Sequence, residues 1–285
     1  MKLTLLIVLV IICTAGLAQH EVKIAGHRGY RGLYPENSII GFQKAVACGT
    51  NAIEFDVVVN KDKQLVVSHE PFIDRTYCWN EDSSSIQNQK SLSIYNMTQE
   101  EVAQYDCGSK PHPQFSEQLK LSSSKPLLKT VFDSVDFANV TLLFEIKYKF
   151  GDTVNYPSVN TYAQIVLNEA NASKYKNQIV FMSFDASILN QIHSLDATFK
   201  MVYLVYQPKV NVLSFLDDLN FEPFAMGMFF PTIRKRKVQV LFKKGIKTFA
   251  WTVNSQKKAQ QLANMGVDVL ITDFPELLIQ KIKNP

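Results

Sequence analysis

The stretch Ala52-Ile53-Glu54-Phe55-Asp56-Val57-Val58-Val59 decides how the chain reads; the turn Asn60-Lys61-Asp62-Lys63 and the run Gln64 to Ser68 follow it. β-Branched and aromatic residues in an apolar frame predict a strand, and the polar turn predicts that the second run pairs back beside it. Two carboxylates interrupt the first run. Side chains alternate faces along a strand, so Glu54 and Asp56, two residues apart, point to the same side. A single acidic strand is more often a buried ion pair or a loop anchor, so its neighbours must give it meaning.

Outward from this strand the same apolar texture recurs. Strands are predicted at Val22 to Gly26, Thr141 to Tyr148, Ile179 to Phe184, Lys200 to Tyr206, Phe224 to Phe230, Thr248 to Val253 and Val267 to Thr272. Segments with a 3.6-residue stripe lie between and after them: Ser38 to Cys48, Leu127 to Val135, Ser158 to Ala170, Ala186 to Leu195, Val212 to Leu219, Val238 to Lys244, Ser255 to Met265 and Pro275 to Ile282. Eight strand-then-helix units predict an α/β chain closed into a single (β/α)8 TIM barrel. A doubly wound open sheet would place a glycine-rich turn after its first strand. Here Gly26 and Gly29 flank His27-Arg28, which is not the dinucleotide fingerprint.

One segment departs from the alternation. From about residue 73 to 125 the chain is polar, with Thr98 and Glu101 spaced as a capping box for a short helix ending near Tyr105. This insertion after strand 2 is expected over the catalytic end of the barrel, as a lid or one wall of the site.

Lys2, the apolar run Leu3 to Ile12 and the small residues to Ala18 predict a signal peptide over residues 1–18, leaving one exported domain from 19 to 285, periplasmic or secreted. The large residue Ile12 before Cys13 argues against lipidation there. No later run approaches the ~20 apolar residues that cross a bilayer, so no stable membrane insertion is expected. The formal charge of +4 is weak, and Arg234 to Lys237, without interleaved aromatics, reads as a solvated helix start. Nucleic acid is therefore not an expected partner. Cys48, Cys78 and Cys107 lack zinc spacing; whether Cys78 and Cys107 pair is left open by sequence.

Barrel enzymes carry their chemistry at the C-terminal ends of strands. His27 and Arg28 close strand 1, Glu54 and Asp56 lie near the end of strand 2, and Glu145 and Lys147 end strand 3, again two apart. His69 ends the paired run. Three converging carboxylates stay ionised only around a cation. Oxygen donors favour Mg²⁺, Ca²⁺ or Mn²⁺ over zinc. Arg28 and Lys147 suit an anionic substrate such as a phosphate, and two histidines can take and give a proton. His20, His112 and His193 fall elsewhere and read as structural or solvent-exposed.

The ordered motifs His27-Arg28-Gly29, Pro35-Glu36-Asn37-Ser38, Glu54-Phe55-Asp56-Val57, Val66-Val67-Ser68-His69 and Asp74-Arg75-Thr76 resemble the glycerophosphodiester phosphodiesterase family. Glu145-Ile146-Lys147, Trp251-Thr252-Val253-Asn254 and Ile271-Thr272-Asp273-Phe274-Pro275 extend the resemblance nearly to the C-terminus. It implies a barrel with a divalent cation, Mg²⁺ or Ca²⁺, on Glu54, Asp56 and Glu145, and an acid–base pair in His27 and His69. It implies that Arg28 holds the phosphate, that Lys147 lies beside the substrate, and that a glycerol hydroxyl attacks through a cyclic phosphate. Trp251 is expected to stack on the glycerol or the head group.

Glu36 has two open readings, ordering the first loop or capping the helix after Asn37. Asp273, with Glu276 three residues on, is expected as a helix N-cap. Glu70 departs from the family's Asp after the second histidine, which puts the local loop geometry in question. Two rivals remain in view: a barrel phosphodiesterase acting on a lipid, with Phe229, Phe230 and the insertion as an apolar rim, and a phosphodiester-binding protein, which would be expected to lack a histidine or a carboxylate.

Overall fold

In the computed structural model, which describes residues 21–283 except 81, 83, 89–91 and 207–210, the predicted strands close into a ring. The strands are β1 (Lys23–Gly26), β2 (Ala52–Val59), β3 (Leu65–Val67), β4 (Thr141–Ile146), β5 (Ile179–Ser183), β6 (Lys200–Val205), β7 (Ala225–Phe229), β8 (Lys247–Trp251) and β9 (Val269–Thr272). Their order is β1-β9-β8-β7-β6-β5-β4-β2, and β1 also pairs with β2, which closes an eight-stranded parallel barrel. β3 is antiparallel and adds to the upper half of β2, through Val57↔Val67 to Val59↔Leu65. The segment predicted as a signal peptide, and His20, lie outside the described residues.

The helices are α1 (Ile39–Ala47), α2 (Gln99–Ala103), α3 (Leu128–Ser134), α4 (Val159–Ala172), α5 (Ala186–Leu195), α6 (Lys235–Lys243), α7 (Gln256–Asn264) and α8 (Pro275–Lys283). Ser38, Ser158, Asp185 and Ser255 cap α1, α4, α5 and α7 with side-chain oxygens that accept first-turn N–H groups. α2 carries the capping box of Thr98 and Glu101. The unit after β6 differs from expectation. Val212–Asp218 is a 3-10 helix, because Asn211 accepts the Ser214 N–H and hydroxyl on its carbonyl and ties the segment into three-residue turns. Arg234 to Lys237 opens α6, as a helix start.

Alternation along the strands divides the core. Ala25, Leu143, Val180, Met182, Val202, Leu204, Phe249 and Ile271 fill the barrel interior. Phe42, Phe55, Phe144, Tyr162 and Phe181 pack between strands and helices. Thus Phe55 faces outward while its neighbours Glu54 and Asp56 face in. β4 ends earlier than the predicted Tyr148, yet the Lys147 N–H still donates to the Val57 carbonyl at 3.1 Å and Lys147 follows Glu145 on the same side.

The insertion has a small core of its own, in which Val66, Ile73, Ile94 and Val102 pack around Cys78. Cys78 and Cys107 form a disulfide, which resolves the pairing left open by sequence, while Cys48 is free. Among the described residues no helix is long and apolar enough to cross a membrane.

Candidate active site

β2 and β4 are in register, with Asp56 opposite Glu145. This pairing brings an oxygen of each of Glu54, Asp56 and Glu145 within 4.8 Å of the others. All three side chains are buried. Glu54 Oε1 and Asp56 Oδ1 have no hydrogen-bond partner among the described residues. Burial, then the neighbouring charges of Asp56 and Glu145, pushes the Glu54 carboxyl well above the ordinary range. Asp56 is held well below it: burial opposes ionisation, but His69, Arg28, Lys147 and a hydrogen bond from Asn37 outweigh it. Orphaned buried oxygens in an all-oxygen donor set fit a hard divalent cation.

The turn after β1 is tight. A Cβ on Gly26 would meet the Gly29 carbonyl oxygen at 2.4 Å, and Gly29 itself has φ +85. Arg28 has φ 50, and its N–H donates to Glu54 Oε2 at 2.9 Å. Its guanidinium is bonded to Glu36 at 2.8 Å and lies 3.4 Å from Asp56, with Nε unpartnered by hydrogen bonds. Glu36 also accepts from Arg31 at 2.5 Å, and Ser38 makes the N-cap, so Glu36 orders the first loop instead of capping α1. Asn37 donates to Asp56 Oδ2 at 2.9 Å and accepts the Asp56 N–H. Lys147 Nζ reaches Glu145 Oε1 at 2.5 Å and lies 3.7 Å from Asp56.

Both candidate histidines hold a carboxylate on Nδ1. His27 meets Asp273 Oδ1 at 2.6 Å, and His69 meets Glu70 Oε1 at 2.5 Å. Each Nε2 is left free of that contact. Burial lowers the His27 imidazole, with Asp273 opposing. Asp273 is drawn down to about 2: burial opposes the shift, and His27, Arg31 and Asn254 outweigh it. Its second oxygen accepts from Asn254 at 2.6 Å. Asp273 therefore holds His27, where the sequence predicted a helix cap; a partner 246 residues away leaves no local signal. The Glu in place of Asp at position 70 still reaches its histidine.

His27, Glu54, His69, Glu145 and Lys147 line one side of a cavity of about 170 Å³, and Met182, Phe184, Leu204, Trp251 and Ile271 line the other. Arg28 and Asp56 stand behind the wall. None of the described residues between 73 and 125 lines this cavity; the insertion instead supports the first loop, through His112 Nε2 at 3.7 Å from Glu36 and Gln114 at 3.4 Å from Arg31. His112 is buried against Tyr77 and Phe115, and His193 stacks on Phe221 at 4.3 Å, so both serve packing. A larger cavity, about 520 Å³, opens at the other end of the barrel among strand starts such as Thr141 and Ile179, away from the carboxylates. Chemistry, not size, selects between them. Sequence reasoning assigned no role to Asn37 and Asn254, although both fall inside quoted motifs. Phe184 and Leu204 carried no motif signal.

A closed parallel barrel with an acidic, cation-competent mouth flanked by two histidines defines a barrel hydrolase of the oxygen-ligand type. The model of the Glycerophosphoryl diester phosphodiesterase family matches residues 27–277. The chain belongs to that family and is a glycerophosphodiester phosphodiesterase. It is 28% identical over 263 residues to the glycerophosphodiester phosphodiesterase of Caldanaerobacter subterraneus subsp. tengcongensis, covering 92% of this chain and 98% of that one. With the glycerophosphodiester phosphodiesterase of Bacillus altitudinis it shares 27% identity over 90% of this chain and 97% of the other. Its fold is that of an Oleispira antarctica phosphodiesterase solved in complex with the product sn-glycerol-3-phosphate: TM-score 0.75, 20% identity, 92% of this chain and 97% of that one covered.

Proposed function

We propose that the enzyme cleaves glycerophosphodiesters to glycerol 3-phosphate and a free alcohol, with His27 and His69 exchanging protons across a cation site made of Glu54, Asp56 and Glu145. The observation that carries this reading is the sharing of one small cavity by both histidines and two of the three carboxylates, with each Nδ1 engaged by a carboxylate. A bound Mg²⁺ or Ca²⁺ would supply charge to stabilise the phosphoryl oxygens. Lys147 adds positive charge from the cavity wall, and Arg28 from behind it. One histidine accepts the proton of the attacking hydroxyl, the substrate's own glycerol hydroxyl, as the P–O bond to the alcohol breaks. The other gives the alcohol its proton, and water then opens the cyclic phosphate by the reverse exchange.

Glycerol 3-phosphate release from glycerophosphocholine and glycerophosphoethanolamine, with Mg²⁺, with Ca²⁺ and with chelator, tests this directly. Glu54→Gln is expected to abolish turnover and also the rise in Tm that the free cation gives the parent protein, which reflects a stabilisation of about 2.7 kcal/mol at a hundredfold excess over Kd. Turnover that persists with chelator, or a cation-induced Tm rise that survives Glu54→Gln, would overturn the assignment.

We infer export as well. Lys2, the apolar run and the small residues before Gln19 support it, and so does a disulfide, which persists in oxidising compartments. N-terminal sequencing of the processed protein is expected to begin at Gln19; retention of Met1 would refute this.

A further inference from the structure

The mouth cavity has two unlike sides, and the second has no role in the proton exchange. Phe184, at the end of β5, stands at 86° to Trp251, at the end of β8, with ring centres 5.3 Å apart. Tyr206, after β6, lies nearly parallel to Trp251 at 6.0 Å and to Phe229, at the end of β7, at 4.9 Å. Phe184 and Trp251 line the cavity, and Tyr206 and Phe229 pack on Trp251 and on each other beside it. They are not simply core: Phe184 is 42% and Tyr206 59% exposed.

From these rings we infer that the aromatic side is a head-group subsite for a quaternary ammonium, so that the preferred substrates are choline diesters of glycerol phosphate. The inference rests on the reaction proposed above. A leaving alcohol rich in hydroxyls, or one ending in a primary ammonium, brings donors that need acceptors. The lining on this side offers no carboxylate and a single side-chain hydroxyl, that of Thr252, and Asp185, beside Phe184, spends its carboxylate on the N–H groups of Phe150 and Ser187 and on the Ser187 hydroxyl. Donors turned toward ring faces gain no hydrogen bond from them. A trimethylammonium has no donor to satisfy and spreads its charge over methyl groups, which aromatic faces attract. An acyl chain would need only apolar surface, which aliphatic residues supply equally well.

The test compares kcat/KM, under one saturating cation, for glycerophosphocholine, glycerophosphoethanolamine and the neutral isostere whose head group is 3,3-dimethylbutanol. The isostere has the shape of choline without its charge. The choline ester is expected to exceed both others by about twofold to thirtyfold, the span from an exposed to a desolvated cation–π contact. In Phe184→Leu and Tyr206→Leu, both at exposed positions, the choline-to-isostere ratio is expected to fall toward one. An isostere turned over as well as choline, or a ratio that survives both substitutions, overturns the inference and marks the wall as a general apolar surface. Equal turnover of all three diesters defeats the head-group inference alone. No turnover of any, with cation bound, defeats the proposed reaction and this inference with it.

Discussion

His27 and His69 face one cavity, yet their supporting carboxylates differ in kind. Glu70 is the next residue in the chain and partly exposed, whereas Asp273 is buried and fixed by Asn254. A carboxylate on Nδ1 fixes the ring and its tautomer, and Asp273 does so without touching the substrate cavity. Asp273→Asn is therefore expected to lower kcat by about a hundredfold, at the lower end of acid–base contributions, with KM changed only a few-fold. A rise in KM at constant kcat would place Asp273 in substrate binding instead. The same residue has a stability signature. Its carboxyl lies at about 2, below the ordinary aspartate value of 3.8, so its contribution is complete above that value and is lost as pH falls toward about 2. Urea midpoints of the parent protein are expected to drop through that window more steeply than those of Asp273→Asn. Parallel curves would disprove it.

Among the elements, the insertion is the one whose sequence says least and whose structure adds most. Its polar composition gives only α2, through the capping box at Thr98 and Glu101, while its core closes around Cys78–Cys107. The bond spans 29 residues, for which chain-entropy reasoning gives about 3–4 kcal/mol. Replacing both cysteines by serine is expected to speed proteolysis between residues 78 and 107 well before the barrel melts. Because the insertion supports Arg31 and Glu36, kcat/KM should fall a few-fold as well. Proteolysis at the parent rate would show that the small core suffices alone. The segment at Val212–Asp218 teaches a related lesson: its apolar residues promise a helix, but seven residues anchored on Asn211 close only three-residue turns.

At the level of the whole molecule, β2 joins stability to chemistry. Phe55 is fully buried and meets Phe144 at 4.4 Å and Phe42 at 5.6 Å outside the ring, while the residues on either side of it belong to the candidate cation site inside. Removing that packing leaves a cavity between sheet and helices. Phe55→Ala is expected to cost about 3–5 kcal/mol, read from the urea midpoint. Saturating cation should recover part of this loss, since binding to the folded state alone adds stability. A loss below about 1 kcal/mol would mean that α1 collapses into the space.

The sequence by itself determined the barrel, its order of strands and helices, the carboxylate triad and the two histidines. Those features follow from local rules: two-residue alternation puts Glu54 and Asp56 on one face, and a repeated strand–helix unit has few ways to close. The tertiary structure alone decided that Asp273 serves His27, that Cys78 pairs with Cys107, that Glu36 holds Arg28 and Arg31, and that Phe184, Tyr206 and Phe229 gather on Trp251. Each of these joins residues through space, from a separation of five along the chain to one of 246. Spacing along the chain reports such contacts only where a regular element fixes the geometry between the partners, and here loops and barrel closure intervene.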